Sequence, residues 1–557
     1  MKWTRHDAIW IAIILAVGLF VAIRANGRAL DPIIDTGRDL YIPEQIRAGT
    51  KLYRDILYYY PPLAPYVLAA ITAITGSSLA SYTGIGIAIA LATAAAMYAL
   101  ARSVAPAHAA GTATLLFVSC SVYSISGRTS NYFFPYAHAA TLSMLFFVSG
   151  AGFLACWSFV DRRARWLAPG LACLVAAAWT KLEFVLFAAT LIAVVAIVHR
   201  IPLRWIGGTI AFALLSLIAV DRYFSDAPAG RHWLADNVLA SSLLQGAPAR
   251  YFYRQVSGFD RMRPNVWAAV VSAVILVIII LLVRAFDRWS SRAAAVIVAI
   301  LIGAIAFGTG DDFFRGWALL QIVLLPFALR RPKEPLLLLL VVSLCASSRV
   351  FLRMTPAWYG FVFLVPVYAL IAFVLFEWLP SRNVYSRRAS FLAVVPIVVV
   401  AAHFLWLENG VVATKRYAVP TPRGTFYDAN LGRALALEPF FDYVRTTKAR
   451  SFVVVPEGLT LNYLTKTKTS AAFHTFTPVE TASAEIESQI MADFAAHPPE
   501  YVVVVSRNVS DFGYRGFGLD YDRRFAALVQ QHYAPVKRWR YLSFELIVLG
   551  ERQSRPQ

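Results

Sequence analysis

Four carboxylates, Asp35, Asp39, Glu44 and Asp55, stand in the segment DTGRDLYIPEQIRAGTKLYRDILYYYPPLAP (35–65), directly after the first apolar run. Desolvating a carboxylate beside hydrocarbon costs on the order of several kcal/mol, so acids at this place read as working groups. Asp35 and Asp39 are four residues apart, and on a helix the two would share one face. Two close acids suit a general base beside a substrate or metal partner. The structural alternative is that Asp31 or Asp35 caps a short helix while Arg38 neutralises Asp39. Tyr53, Tyr58, Tyr59 and Tyr60 follow, as an interfacial aromatic belt or as the lining of a sugar pocket.

The rest of the chain must place this segment. Of its 557 residues 59% are apolar and 15% charged, which excludes an ordinary soluble domain and indicates a polytopic α-helical membrane protein. The net charge of +20 falls largely in short clusters between apolar runs. That pattern sets topology and does not indicate nucleic acid. Cys120, Cys156, Cys173 and Cys345 lie in or at the ends of apolar runs without CxxC spacing, so neither a disulfide framework nor a zinc site is expected.

A crossing helix needs roughly 20 apolar residues. By that rule the spans are 8–25, 80–101, 107–125, 138–160, 166–180, 183–199, 205–222, 265–284, 292–308, 316–329, 335–349, 357–379 and 389–407, about 13 transmembrane helices. The first is an uncleaved helix and not a secretory signal. The segment 63–76, behind Pro61-Pro62, is too short to cross and reads as an interfacial helix. With the N-terminus inside, every cytoplasmic connection carries Lys or Arg. The opposite side then receives the outer loop 26–79, a second loop 126–137, a loop at 223–264, the GTGDDFFRG turn at 308–316 and everything after Leu407. Residues 1–407 thus form a membrane module. Residues 408–557 form an extracytoplasmic C-terminal α/β or α+β domain, with strands in SFVVVPEG (451–458) and YVVVVSRN (501–508) and a helix at 484–496.

Three further features give the outer loop a family likeness. An acid soon after the first membrane helix is followed by Gly49 to Asp55, a Gly-x-x-Tyr-Arg-Asp element with one extra residue, and by Tyr60-Pro-Pro-Leu63. This series resembles the first outer loop of the GT-C superfamily, polytopic glycosyltransferases that use polyprenyl-phosphate sugars, including protein O-mannosyltransferases and lipid A aminoarabinose transferases. GRTSNYFFPYAHAA (127–140), TKLEF (180–184) and SSRVFLRMTPAWYGF (347–361) resemble later elements of bacterial members. The resemblance implies a GT-C fold and inverting transfer of a hexosyl or pentosyl unit to an extracytoplasmic acceptor glycan, lipid or protein, in cell-envelope glycan biosynthesis at the bacterial inner membrane. It carries the catalytic acid over to Asp35, with Asp39 as the second choice. Many relatives have another acid in the second outer loop. Here that position offers Asn131, so a two-carboxylate divalent metal site is in doubt and metal dependence stays open.

If polyprenyl phosphate departs, cations must meet it at the outer surface. Lys181, Arg349 and Arg353 are the first candidates, then Arg128 and Arg315. The bland reading pairs Lys181 with Glu183 and Arg315 with Asp311 or Asp312. Tyr59, Tyr60, Asn131, Tyr132 and His138 complete the expected substrate-binding set, although a histidine at a helix start is more often structural, as is His474. Asp311 and Asp312 read as acids at a helix start. No P-loop, GxSxG, HExxH or dinucleotide fingerprint occurs. The rival function is a transporter or flippase of lipid-linked sugars, which would show broken helices, midplane charges and repeated halves.

Overall fold

A computed structural model describes residues 3–225, 246–289 and 291–552. The middle of the expected loop at 223–264 lies outside the described residues. Each of the thirteen expected spans coincides with a helix. Among the described residues, seven helices or helical stretches are long and apolar enough to cross a membrane: Arg5–Ala25, Leu79–Val104, His138–Val160, Leu203–Phe224, Ala247–Arg288, Arg292–Phe314 and Ala389–Thr414. The others are shorter, so the count of thirteen crossings is not fixed by length. The last span runs on to Thr414, past the boundary expected at 407. Leu19 and Ile23 of the first helix and Leu214, Leu215 and Ile218 of the seventh expected span are exposed, as lipid-facing side chains would be.

We label α1 (Arg5–Ala25), α2 (Gly37–Arg47), α3 (Leu63–Thr75) and α4 (Leu79–Val104). The expectation that Asp35 and Asp39 share a helical face fails. Helix α2 begins at Gly37, and Asp35 precedes it in the left-handed region, φ 55°. At 13 residues, α3 is about 20 Å long, shorter than a full bilayer crossing needs.

The C-terminal domain is built on a four-stranded sheet: β3 (Phe452–Val455), β4 (Tyr501–Val505), β6 (Phe544–Glu551) and β5 (Tyr533–Tyr541), in that order. A two-residue-period split follows from the pleat. Val453, Val455 and Val502 face Phe494 and Phe525 of the helices at 484–496 and 523–532. Val454 and Val503 join the core that holds Phe440 of the helix at 431–447. Burial on both faces explains why these strands read as unbroken valine runs. A separate two-stranded ribbon, β1 (Tyr417–Val419) and β2 (Phe426–Asp428), links the last membrane helix to the domain.

Strands β3 and β4 are parallel and in register, Val455 opposite Val504. Their carboxyl ends therefore release Glu457 and Arg507 side by side. This edge meets the first outer loop. A Cβ on Gly37 would lie 2.3 Å from the Thr460 backbone nitrogen, so only glycine permits the approach. Leu57 N–H donates to the Ala472 carbonyl at 3.1 Å, the Tyr41 hydroxyl accepts from Thr469 N–H at 2.9 Å, and Arg423 holds the Glu44 carboxylate through both oxygens.

Candidate active site

Asp35 sits where the outer loop and the C-terminal domain touch. Its backbone N–H donates to Glu457 Oε1 at 2.6 Å, and its Oδ1 lies 3.3 Å from Arg38 Nη2. The other Arg38 nitrogen reaches Glu480 Oε1 at 3.0 Å. Glu457 Oε2 accepts from Arg507 Nε at 3.0 Å, and Arg507 also pairs with Asp511 at 3.4 Å. Arg38, Glu457 and Arg507 are buried, yet the Asp35 side chain remains 34% exposed. The acid is crowded by protein but still reachable from one side. Burial and then the Glu457 charge push the Asp35 carboxyl up to about 7, with Arg38 and Arg507 opposing. Burial likewise raises Glu480 to about 8.

A cationic layer lies beneath. Lys181 ends the helix Ala164–Thr180, and its ammonium donates to the Tyr136 hydroxyl at 3.1 Å and to Glu183 Oε1 at 2.8 Å. Arg349 lies 4.0 Å from the Tyr253 ring centroid and 5.9 Å from that of Tyr359, and among the described residues its buried Nε has no hydrogen-bond partner. Aromatic rings join the two layers. Arg38 lies 5.6 Å and Lys181 5.8 Å from the Tyr60 ring, while Tyr136 and Tyr359 pack 4.5 Å apart. Tyr359 feels both Asp35 and Arg349. Thus acid, cations and rings form one cluster, with Tyr59 beside Glu480 and Arg38. Lys181 does pair with Glu183, as the bland reading held, but the pair is part of this cluster.

Other expected site residues are employed elsewhere. Asp39 Oδ2 accepts the buried His138 backbone N–H and lies 2.9 Å from His138 Nδ1, which commits both residues to joining α2 to the helix His138–Ala155. Arg38 pairs with Asp35 and Glu480 instead of neutralising Asp39. Asn131 spends its amide on backbone groups of the second loop and on Ala29 of the first: Oδ1 accepts from Phe133 and Phe134 N–H, and Nδ2 donates to the Ala29 and Arg128 carbonyls. The Tyr132 ring is fully buried between Phe117 and Phe361. Arg128 is exposed and, among the described residues, makes no ion pair. Arg353 stacks on Trp358 at 4.3 Å and lines a separate cavity of about 400 Å³ with Asp311, Asp312 and Arg315. There Asp312 pairs with Arg315 at 2.6 Å and caps no helix. His474 donates from Nδ1 to the Ala472 carbonyl, and burial holds its ring down at about 4, hence neutral. Asp31 accepts from Ile33 and Ile34 N–H. Burial works against its ionisation, but Arg433 prevails and brings it down to about 2.

Asp35 and Asp39 thus point to different partners and do not make a shared donor set. Among the described residues no group of three or more His, Cys, Asp or Glu side chains is placed to hold a metal ion.

No protein-family model matches the chain, and no curated protein matches it. Among solved structures it is similar to the archaeal oligosaccharyltransferase AglB from Archaeoglobus fulgidus in complex with an inhibitory peptide and a dolichol-phosphate, with TM-score 0.48, 12% identity, and coverage of 94% of this chain and 72% of that one. An Archaeoglobus fulgidus oligosaccharyltransferase complex with zinc and sulfate gives 0.47 and 14% over 88% and 67%. The apo form gives 0.47 and 13% over 88% and 69%. A likeness of this size assigns no residue a role.

Glu457, Glu480, Arg507 and Asp511 are absent from the sequence-derived site. A signal existed for two of them: each follows an all-apolar strand by two residues, in VVVPEG and VVVVSRN. The carboxyl edge of parallel strands is where such folds place ligand-handling groups. Glu480 and Asp511 carry no comparable mark.

Proposed function

We propose that the chain is an inverting membrane glycosyltransferase that moves a sugar from a polyprenyl-phosphate donor to a hydroxyl or amine of an extracytoplasmic acceptor. In this reading the donor's lipid stays in the bilayer and its phosphate meets Lys181 and Arg349. Asp35 faces the sugar from the other layer. The acceptor heteroatom forms a bond to the anomeric carbon as the carbon–oxygen bond to phosphate breaks. Its proton passes to Asp35, and the electron pair leaves on the phosphate, where the two cations offset the charge. Tyr60, Tyr136 and Tyr359 supply flat faces for the sugar between them.

The observation that carries the reading is the shared cluster: a partly open carboxylate raised to about 7 acts on Tyr60 and Tyr359, and Lys181 lies over the first ring and Arg349 near the second. A base that titrates near neutrality holds a proton-accepting form while keeping useful basicity. Two arrangements weaken the transporter alternative. The charged groups gather where the outer loop meets the C-terminal domain, and an acid beside cations suits proton transfer coupled to departure of an anion.

The test is to incubate purified full-length protein with radiolabelled undecaprenyl or decaprenyl phosphosugars and follow release of the lipid phosphate. Wild-type protein should release it, and Asp35→Asn should slow release by about 100-fold or more with melting temperature retained. Normal release by Asp35→Asn would refute the base assignment. Transport of intact donor without release would establish the alternative.

A further inference from the structure

We propose that Glu457, braced by Arg507, is a positioning residue for Asp35: it grips the Asp35 backbone across the domain boundary and turns its charge toward the carboxylate, so the C-terminal domain is a working part of the site. This rests on the reading of Asp35 as the base.

Asp35 is a non-glycine residue in the left-handed region, a conformation that persists only where surroundings impose it. Its N–H bond to Glu457 holds it from one side, and the close approach of Gly37 to Thr460 brings the loop onto the same edge. Glu457 is in turn held by Arg507, which the parallel register of β3 and β4 delivers to the same edge. A plain docking interface would not bury a second carboxylate against Asp35, because like charges repel. Here Arg507 engages only one Glu457 oxygen and leaves the other to Asp35.

Among the described residues, the charged and titratable groups that act on Asp35 come from several elements. Arg38 comes from α2, Tyr60 from the end of the outer loop, and Tyr359 from the segment before the helix Gly360–Phe363. Glu457, Glu480, Arg507 and Asp511 come from the C-terminal domain. Arg38 and Arg507 favour the ionised Asp35, whereas Glu457 and Asp511 oppose it. Glu457 is the one among them whose side chain bonds the Asp35 backbone. Position and proton affinity therefore depend on the same residue.

The experiment uses full-length protein in nanodiscs. Infrared difference spectra across a pH titration follow the Asp35 carboxyl band, identified by its loss in Asp35→Asn. Glu457→Gln keeps an oxygen for the Asp35 N–H but removes the charge, and should lower the Asp35 midpoint by about one pH unit or more. Arg507→Gln removes a cation and should move the midpoint the other way. The opposed shifts distinguish positioning from general loosening. Exposed Glu485→Gln serves as the control and should leave the midpoint unchanged. If Glu457→Gln does not fold, Arg507→Gln alone carries the reading. An unmoved midpoint in whichever variants fold would overturn the proposal. Opposed shifts in a protein that releases no lipid phosphate from any donor would sustain the positioning role while sinking the proposed function.

Discussion

At the residue scale, Asp35 and Asp39 show how two like side chains four positions apart acquire different duties. Asp35 stays partly exposed, and burial with Glu457 raises its carboxyl from 3.8 to about 7. A base works ionised, so kcat/KM for transfer should rise with pH to a plateau, with its midpoint near about 7, and fall as pH drops below it. A pH–rate profile checks this; a flat profile between pH 5 and 8 would contradict it. The same shift acts on folding in the reverse sense. The folded chain binds the Asp35 proton more tightly than the unfolded chain, so this group's contribution to stability declines as pH rises from about 4 to about 7. Asp39 has no such opening. Asp39→Ala strips the carboxylate from the buried His138 backbone and ring, which should destabilise the protein by about 1–3 kcal/mol. Thermal unfolding in detergent measures it. The resemblance ranks Asp35 ahead of Asp39, but the spacing of the two acids does not show what occupies Asp39, because its partner His138 lies about a hundred positions away.

At the element scale, the membrane helices were legible because an apolar run of sufficient length has few alternatives in lipid. The strands in SFVVVPEG and YVVVVSRN were legible for a related reason, since valine-rich runs bounded by turn residues favour a buried sheet. The start of α2 was not. An acidic, glycine-containing segment has weak periodicity, and its geometry is set by the domain that clamps it. The same clamp makes Gly37 a sensitive position. A methyl group there meets the Thr460 backbone, so Gly37→Ala should push the loop off the domain edge. Reduced lipid-phosphate release together with a lower melting temperature is expected. Full activity in Gly37→Ala would show that the seat between loop and domain is not required.

At the scale of the whole molecule, the cluster around Asp35 has two owners. The membrane module supplies Asp35, Arg38, Tyr60, Lys181 and Arg349, and the C-terminal domain supplies Glu457, Glu480 and Arg507. Half of this division was readable in the sequence: motifs of the outer loops pointed to Asp35, Lys181 and Arg349. The other half was not, because pairing between residues more than four hundred positions apart, such as Asp35 with Glu457, depends on how the two parts dock. For the same reason Asn131, Tyr132 and Arg353 read as site residues although the fold uses them in a turn, in the core and in a second cavity. The proposed function places a donor in this layered cluster, with its phosphate at the cations and its sugar toward Asp35. A cryo-EM structure of Asp35→Asn with a bound undecaprenyl phosphosugar examines that arrangement directly. It should show the phosphate within about 4 Å of the Lys181 ammonium and the Arg349 guanidinium, and the anomeric carbon facing residue 35. A phosphate seated away from both cations, or a sugar turned from residue 35 into another cavity, would contradict the account.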